Sequence, residues 1–300
     1  MDRRAFLTSL GLAAAGSQLA CASVAQNVTP GRRLRRVGIQ LYTLRDDARR
    51  DLERTLADIA AAGYKDVELL SSMNNFGMPP ARLRQVLDQN GLRAPSTHVG
   101  VGELNDLDRQ LADAAILGHK YIVLASLPGN ERTLDDYKRW ADRLNDLGRR
   151  SLTHGVWIGF HNEAYDFPPI GGVVPYDVLV ERTDPALVRL QLDTGNMAMG
   201  GRDPLEYMKR IGKRYWLFHI KDAPSLGAST DAELGKGIVD FKRILASIDD
   251  IDEKLLAQER LSFDDGVDLF NSSDLLAVGW LANRERERRH AARTPVRTRI

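Results

Sequence analysis

The chain has 300 residues, 43% hydrophobic and 28% charged, a composition typical of a soluble globular protein with a large core. Its formal net charge of +1 gives no electrostatic basis for binding nucleic acid. Cys21 is the only cysteine, which excludes a disulfide framework and a cysteine-based metal site.

The N-terminus has the layout of a bacterial Tat export signal. The pair Arg3-Arg4 is followed by an apolar run at residues 10–15 and then by small residues. Small side chains at Ser23 and Ala25 favour cleavage after Ala25, so residues 1–25 are predicted to be a signal peptide. We therefore expect the Tat export machinery as a partner and the periplasm as the destination.

Two alternatives remain for this N-terminal segment. The sequence Leu19-Ala20-Cys21 resembles a lipobox, which would make the protein a lipoprotein modified at Cys21. An apolar N-terminal helix of the fold itself is the other alternative.

After a basic linker, residues 26–36, short apolar runs alternate with amphipathic stretches. The first run reads VGIQLYTLR, and an apolar face on residues 51–62 predicts a helix that Gly63 ends. The next runs read YKDVELL, APSTHVG and KYIVLAS, separated by helix patterns that end at Gly91 and Gly118. The runs predict strands, and the stretches between them predict helices.

The second half of the chain continues this alternation. A long helix is predicted at residues 134–154, and the runs after it read VWIGF, VRLQL, RYWLF and KLLAQE. Predicted strands therefore lie near residues 37, 65, 94, 120, 156, 188, 215 and 254. Eight strands alternating with helices predict an α/β fold, a (β/α)8 TIM barrel at residues 37–282, with an Arg-rich, disordered tail at residues 283–300.

Four of the predicted strands end in residues that bind metals. His161, Asp193 and His219 end strands five to seven, and Glu259 ends strand eight. Ligands bind at the carboxyl ends of parallel strands, and two imidazoles with two carboxylates suit one divalent ion: Mn, Zn, Co, Fe or Mg. Each residue also has a structural interpretation, a hydrogen-bonded His or a turn-forming Asp, but a shared barrel face favours a site.

Other polar residues near these strand ends are candidates for catalysis. A general base must reach the proton that it removes, and Glu163, Glu259 and His98 are the candidates for that role. Lys221 is a candidate to hold a developing oxyanion, and a surface ion pair between Lys221 and Asp222 is an equal alternative.

The same strand ends offer candidates for substrate binding. Asn162 and Asn196 are expected to donate hydrogen bonds to ligands or substrate, and Glu68 is a further polar candidate. Tyr42 and Trp157 can form apolar walls for a sugar ring, although barrel packing is the more frequent role for a residue placed like Trp157.

Several motifs together carry a resemblance to a known family. QLYTLR, GYKDVEL, THVG, HNE, QLDTGN, HIKD and GKGIVDFKRIL occur in order over residues 37–250. They resemble the sugar phosphate isomerase/epimerase family, with its xylose isomerase-like TIM barrel, and its exported bacterial branch with a Tat signal. The resemblance implies one divalent metal held at His161, Asp193, His219 and a strand-eight carboxylate, and a sugar or polyol substrate.

The sequence departs from the family pattern at two ligand positions. His161 stands where epimerases of this family have a Glu that also acts as an acid and base. Ala257 stands where the exported branch has a strand-eight Glu, so Glu259 would have to substitute for it. Beyond Glu259 the resemblance ends.

We therefore expect a metal-dependent isomerase or epimerase that acts on a sugar or polyol through an enediolate. A dehydratase similar to inosose dehydratase, which needs one base and the metal, is an alternative. A non-catalytic exported sugar-binding barrel is another. A multi-metal hydrolase of the endonuclease IV type is disfavoured, because the chain has few histidines and little net charge.

Overall fold

Seven parallel strands form one sheet in the computed structural model, which describes residues 37–244. The strands pair in chain order. They are β1 (Gly38–Gln40), β2 (Asp66–Leu70), β3 (Arg93–Val99), β4 (Tyr121–Leu124), β5 (Trp157–His161), β6 (Val188–Asp193) and β7 (Tyr215–His219). This order requires a helical crossover between neighbouring strands.

Helices fill the connections. They are α1 (Arg45–Arg50), α2 (Leu52–Ala61), α3 (Pro80–Gln89), α4 (Val101–Asn105), α5 (Leu107–Leu117), α6 (Leu134–Leu152), α7 (Pro175–Arg182), α8 (Thr194–Met199) and α9 (Pro204–Ile211). Local chemistry fixes their ends. Asp51 caps α2 by accepting from Arg54 N at 3.0 Å, and Gly118 ends α5 in the left-handed region at φ 83°.

The sheet curls so that distant strands meet across its interior. Gln191 on β6 donates to Glu68 Oε2 on β2 at 2.8 Å, and His219 on β7 lies 2.7 Å from Glu68 Oε1. A flat sheet would keep β2 and β7 five strand spacings of about 4.8 Å apart, so these contacts require a barrel.

Apolar side chains pack between the strands and the surrounding helices. The face of α6 that carries Tyr137, Trp140 and Leu144 is buried against strand residues such as Ile158 and Leu190. Burial of this surface stabilises the barrel by about 25 cal/mol per Å² of apolar area. It also fixes the strand ends that carry the polar residues.

The predicted α/β barrel is confirmed, and predicted strands two to seven match β2 to β7. The first predicted strand, VGIQLYTLR, is a strand only over Gly38–Gln40, and the residues of it after Gln40 are helical. Helix α8, directly after Asp193, was not predicted. The predicted signal peptide, linker, eighth strand with Glu259, and Arg-rich tail all lie outside the described residues. Among residues 37–244, no helix is long and apolar enough to span a bilayer.

Candidate active site

Five ionisable side chains meet inside the barrel where β2, β3, β5, β6 and β7 end. They are Glu68, His98, His161, Asp193 and His219, and all lie in a largely buried cluster. The strand register brings these residues to neighbouring positions along the barrel axis, since His161 pairs with Gln191 and Asp193 pairs with His219. One nitrogen from each histidine lies within 4.8 Å of the others. The three imidazoles can therefore hold a metal ion.

His161 has the tautomer of a metal ligand. Its Nδ1 lies 3.0 Å from the Ala125 carbonyl oxygen, which can only accept, so Nδ1 carries the proton. In the neutral ring the buried Nε2 then presents a lone pair, and it has no hydrogen-bond partner among residues 37–244. A backbone carbonyl bound to the other ring nitrogen is the usual support of a metal-binding histidine.

Two further donor atoms converge on His161 Nε2. Asp193 Oδ2 lies 3.4 Å from that nitrogen and 3.7 Å from His219 Nδ1. Ligands that bind one tetrahedral ion at about 2.1 Å are themselves about 3.4 Å apart. The residues present therefore fit a divalent ion held by His161, Asp193 and His219.

Glu68 lies at the centre of the polar cluster. Its carboxylate contacts His219 Nε2 at 2.7 Å and accepts from Ser96 Oγ at 2.7 Å and Gln40 Nε2 at 3.0 Å. Burial raises the pKa of Glu68, but the imidazoles of His98 and His219 outweigh burial and hold it well below its usual range. The same contact has the opposite effect on the pKa of His219. Burial lowers its pKa, and Glu68 and Asp193 together raise it to about 9.

His98 is held neutral between two amides. Gln40 Nε2 donates to its Nδ1 at 3.0 Å, and its Nε2 donates to Gln191 Oε1 at 2.6 Å. Burial lowers the pKa of His98 to about 4 despite the nearby charge of Glu68. Both nitrogens are engaged, so metal binding by His98 would break one of these bonds.

The two predicted asparagines support Asp193. Asn162 accepts from Asp193 N at 2.9 Å and donates to the Asp193 carbonyl at 3.1 Å, which fixes β6 against β5. Asn196 donates its backbone N–H to Asp193 Oδ1 at 2.7 Å. Burial raises the pKa of Asp193, and the nearby imidazoles of His161 and His219 outweigh burial and leave the pKa well below its usual range.

Glu163 and Lys221 both contact Asn196, which itself donates to Asp193. Glu163 Oε1 is 3.8 Å from His161 Nδ1, and its Oε2 accepts from Asn196 Nδ2 at 3.1 Å. Burial raises the pKa of Glu163. Lys221 Nζ donates to Asn196 Oδ1 at 2.8 Å and pairs with Asp231 at 2.9 Å. Both side chains can therefore move protons or hold charge next to a bound ligand.

The alternative of a surface ion pair between Lys221 and Asp222 is wrong. The Asp222 carboxylate is buried and accepts four backbone N–H groups at 2.8 to 3.0 Å. Their donors are Ala223, Gly235, Gly237 and Val239. A buried carboxylate needs such donors, and these donors hold the loop after β7 that carries Asp231.

Two predicted sugar-stacking residues lie elsewhere. Trp157 starts β5, four residues before His161, and its ring stacks at 6.2 Å on Trp216 with the Arg189 guanidinium 3.6 Å away. Tyr42 is 52% exposed, and the Arg45 guanidinium covers its ring at 4.4 Å. The structure brings neither ring to the ionisable cluster.

Sequence reasoning missed the two glutamines. Gln191 stands two residues before Asp193, between Leu190 and Leu192, so strand alternation places both polar residues on the barrel interior. A polar residue at such a position was a usable signal. Gln40 had no comparable signal, since its partners come from β2 and β3.

Comparisons with known proteins agree with this geometry. The sequence matches the family model of the xylose isomerase-like TIM barrel over residues 56–262. It is 27% identical over 196 residues to the inosose dehydratase of Geobacillus kaustophilus (strain HTA426), a match covering 57% of this chain and 61% of that protein. This chain thus spans about three fifths of the length of that relative.

Two solved structures share the fold. A sugar phosphate isomerase/epimerase from Parabacteroides distasonis ATCC 8503 superposes with a TM-score of 0.59 at 22% identity, covering 86% of this chain and 98% of that one. The IolI protein with a bound zinc atom superposes with a TM-score of 0.57 at 15% identity, covering 87% and 100%. Identities at this level establish the likeness of the fold.

Proposed function

The chain belongs to the xylose isomerase-like TIM barrel family, and on that premise we propose a divalent-metal-dependent enzyme that forms an enediolate from a sugar or polyol. Isomerisation or epimerisation is the outcome that we propose first. The observation that carries the proposal is the buried Nε2 of His161, which has no hydrogen-bond partner in the described part of the chain and faces Asp193 Oδ2 at 3.4 Å.

We assign His161, Asp193 and His219 as the residues that would hold the metal. When bound, the ion would polarise a substrate carbonyl or hydroxyl oxygen and stabilise negative charge that develops there. Asp193 supplies a negative charge, and His161 is already in the ligand tautomer. His219 would have to lose the proton on Nδ1, the nitrogen that faces Asp193, and can keep the proton on Nε2, which contacts Glu68.

Glu163 is the residue that we propose as general base. Burial raises its pKa, which makes it a stronger base near neutral pH, and its contact with Asn196 orients one oxygen. Lys221 carries a positive charge next to the same asparagine, where it can balance an oxyanion on the substrate. A second base would be needed to return the proton on the opposite face, and Glu259 is our candidate.

Dehydration is a second candidate outcome. A curated relative is an inosose dehydratase, and elimination of water needs only one base next to the polarised carbonyl. Glu163 alone could supply that base. The two outcomes share proton abstraction and differ in whether a hydroxyl group then leaves.

Incubation in D₂O tests the proposal. The metal-loaded protein is given a panel of ketoses and inososes, and NMR spectroscopy follows deuterium at the carbon next to the carbonyl. Deuterium uptake with an isomeric product supports isomerisation or epimerisation, and loss of water supports dehydration. Wild-type protein that takes up no divalent ion under any loading condition would refute the enzyme and leave a sugar-binding barrel.

A further inference from the structure

A half-buried arginine lies on the same barrel face and has no acidic partner among the described residues. Arg132 belongs to the loop between β4 and α6, and its guanidinium stacks 3.4 Å above the ring of Tyr165. Tyr165 follows Glu163 by two residues, which places the cation beside the proposed base. Burial raises the pKa of Glu163, and the charge of Arg132 is one of the smaller effects that oppose this rise.

The donors of Arg132 are largely unused. Its one hydrogen bond to a described residue runs from Nη2 to the Leu127 carbonyl at 3.3 Å, a long and weak contact. No carboxylate of residues 37–244 lies within 4.0 Å of it. The neighbouring Glu131 is turned away and accepts from Trp140 Nε1 at 2.8 Å. The buried Nε has no hydrogen-bond partner in this part of the chain, and no hydrogen bond is formed there by Nη1 either.

Arg210 also stacks on an aromatic ring, and its contacts are those of an arginine with a structural role. Arg210 lies 4.2 Å above the Tyr207 ring, and Asp177 neutralises it through an ion pair. Tyr207 also donates to Asp177 at 3.0 Å, so Arg210, Tyr207 and Asp177 all contact one another. Arg132 has the aromatic support without the counter-charge. Stacking holds its planar guanidinium group in place, and a guanidinium group binds carboxylate or phosphate through two parallel hydrogen bonds.

We propose that Arg132 binds the acidic group, a carboxylate or a phosphate, of the sugar or polyol that the candidate site takes. This inference rests on the proposed function and narrows its substrate class from sugars and polyols in general to those that carry an acidic group. The anion would face Arg132, and the reacting carbons would then lie towards Glu163 and the ligand atoms of His161 and Asp193.

Calorimetry on the full-length, zinc-loaded protein tests this assignment. The probes are D-gluconate, D-glucose 6-phosphate and the neutral D-glucitol. We expect one acid to bind wild-type protein at least about tenfold more tightly than glucitol. Arg132→Gln should abolish that preference and leave glucitol binding unchanged, while Arg132→Lys should keep part of it. The acid that is preferred distinguishes carboxylate from phosphate.

Arg143→Gln is the matched control, because Arg143 also stacks on an aromatic ring, Trp140 at 4.7 Å, but lies on helix α6. It should retain the full preference. Three results would overturn the role of Arg132: no acid preference in the wild type, no binding of any probe, or an equal loss for all three probes in Arg132→Gln. Zinc content of the same samples separates these results from failure of the proposed function, which predicts retained metal.

Discussion

Glu68 on β2 and His219 on β7 are 2.7 Å apart across the barrel interior, although 151 residues separate them in the chain. This contact ties the first and last described strands of the site to each other. It also sets the charges of both groups, since it lowers the pKa of Glu68 and raises that of His219 to about 9.

Replacing Glu68 by Gln should destabilise the metal-free protein at pH 7. Loss of one partner from a buried ion pair leaves His219 without its counter-charge, which costs about 3–5 kcal/mol. Urea unfolding in the presence of a chelator measures the change. Glu53→Gln is the control, because the exposed pair between Glu53 and Arg82 is worth less than about 1 kcal/mol. Equal costs for both variants would contradict a central role for Glu68.

Replacing His161 by Ala should reduce divalent-metal affinity by more than about 100-fold, because loss of a direct ligand exceeds the 10–100-fold typical of a residue that only supports one. Competition with a chelating dye measures the affinity. His154→Ala is the matched control. His154 is exposed and contacts Thr153 and the Arg150 carbonyl, so metal affinity should not change. A His161 variant that binds metal like the wild type would refute the ligand assignment.

Asp166 should make stability depend on pH. Burial raises its pKa from 3.8 to about 7, despite hydrogen bonds from Tyr137 and the Glu163 backbone. Between these values the folded protein keeps a proton that the unfolded chain releases. The Asp166 contribution to the free energy of unfolding therefore falls as pH rises from about 4 to 7, by at most about 1.4 kcal/mol per pH unit.

Asp166→Asn cannot titrate, so its stability relative to wild type should increase over the same pH window. Urea unfolding of both proteins at intervals from pH 4 to 8 measures the difference, in which the other titrating groups cancel. An exposed replacement, Asp46→Asn, should follow the wild type throughout. A difference that stays constant with pH would show that Asp166 is ionised across the window.

Asp222→Asn should loosen the loop after β7. An amide offers one acceptor oxygen in place of two, so buried N–H groups lose their partner at about 1–3 kcal/mol each. Thermal unfolding should show the loss, and turnover should fall because Asp231, the partner of Lys221, lies on that loop. Gly237→Ala should also lower thermal stability and turnover, since its Cβ would lie 2.3 Å from Asp222 Oδ1. Full stability in both variants would contradict this role.

We propose that residues 1–25 direct Tat export. Replacing Arg3 and Arg4 together by Lys should retain the protein in the cytoplasm, because the pathway reads the arginine pair. Fractionation of cells that express each form measures this. Replacing Arg32 and Arg33 in the linker by Lys is the control and should leave export intact. Equal delivery of all forms would refute the signal.

The residues at the ends of the strands could be predicted from the sequence. His161, Asp193 and His219 each follow an apolar run, and parallel strands must present their carboxyl ends on one face, so their convergence followed from local pattern alone. Glu68 and His98 were also visible as polar strand residues. Their exchange of hydrogen bonds with Gln40 and Gln191 was not, because those partners come from other strands.

The sequence by itself therefore determined the alternating barrel fold and the strand ends that meet, because apolar period and turn residues are local properties of the chain. Tertiary structure alone decided which polar atoms touch. In the folded chain Asp222 points inward and binds the loop, and Lys221 pairs with Asp231. Arg132 stacks on Tyr165 and has no acidic partner among residues 37–244. Those contacts depend on barrel closure and loop path, which bring residues far apart in sequence within 3 to 4 Å.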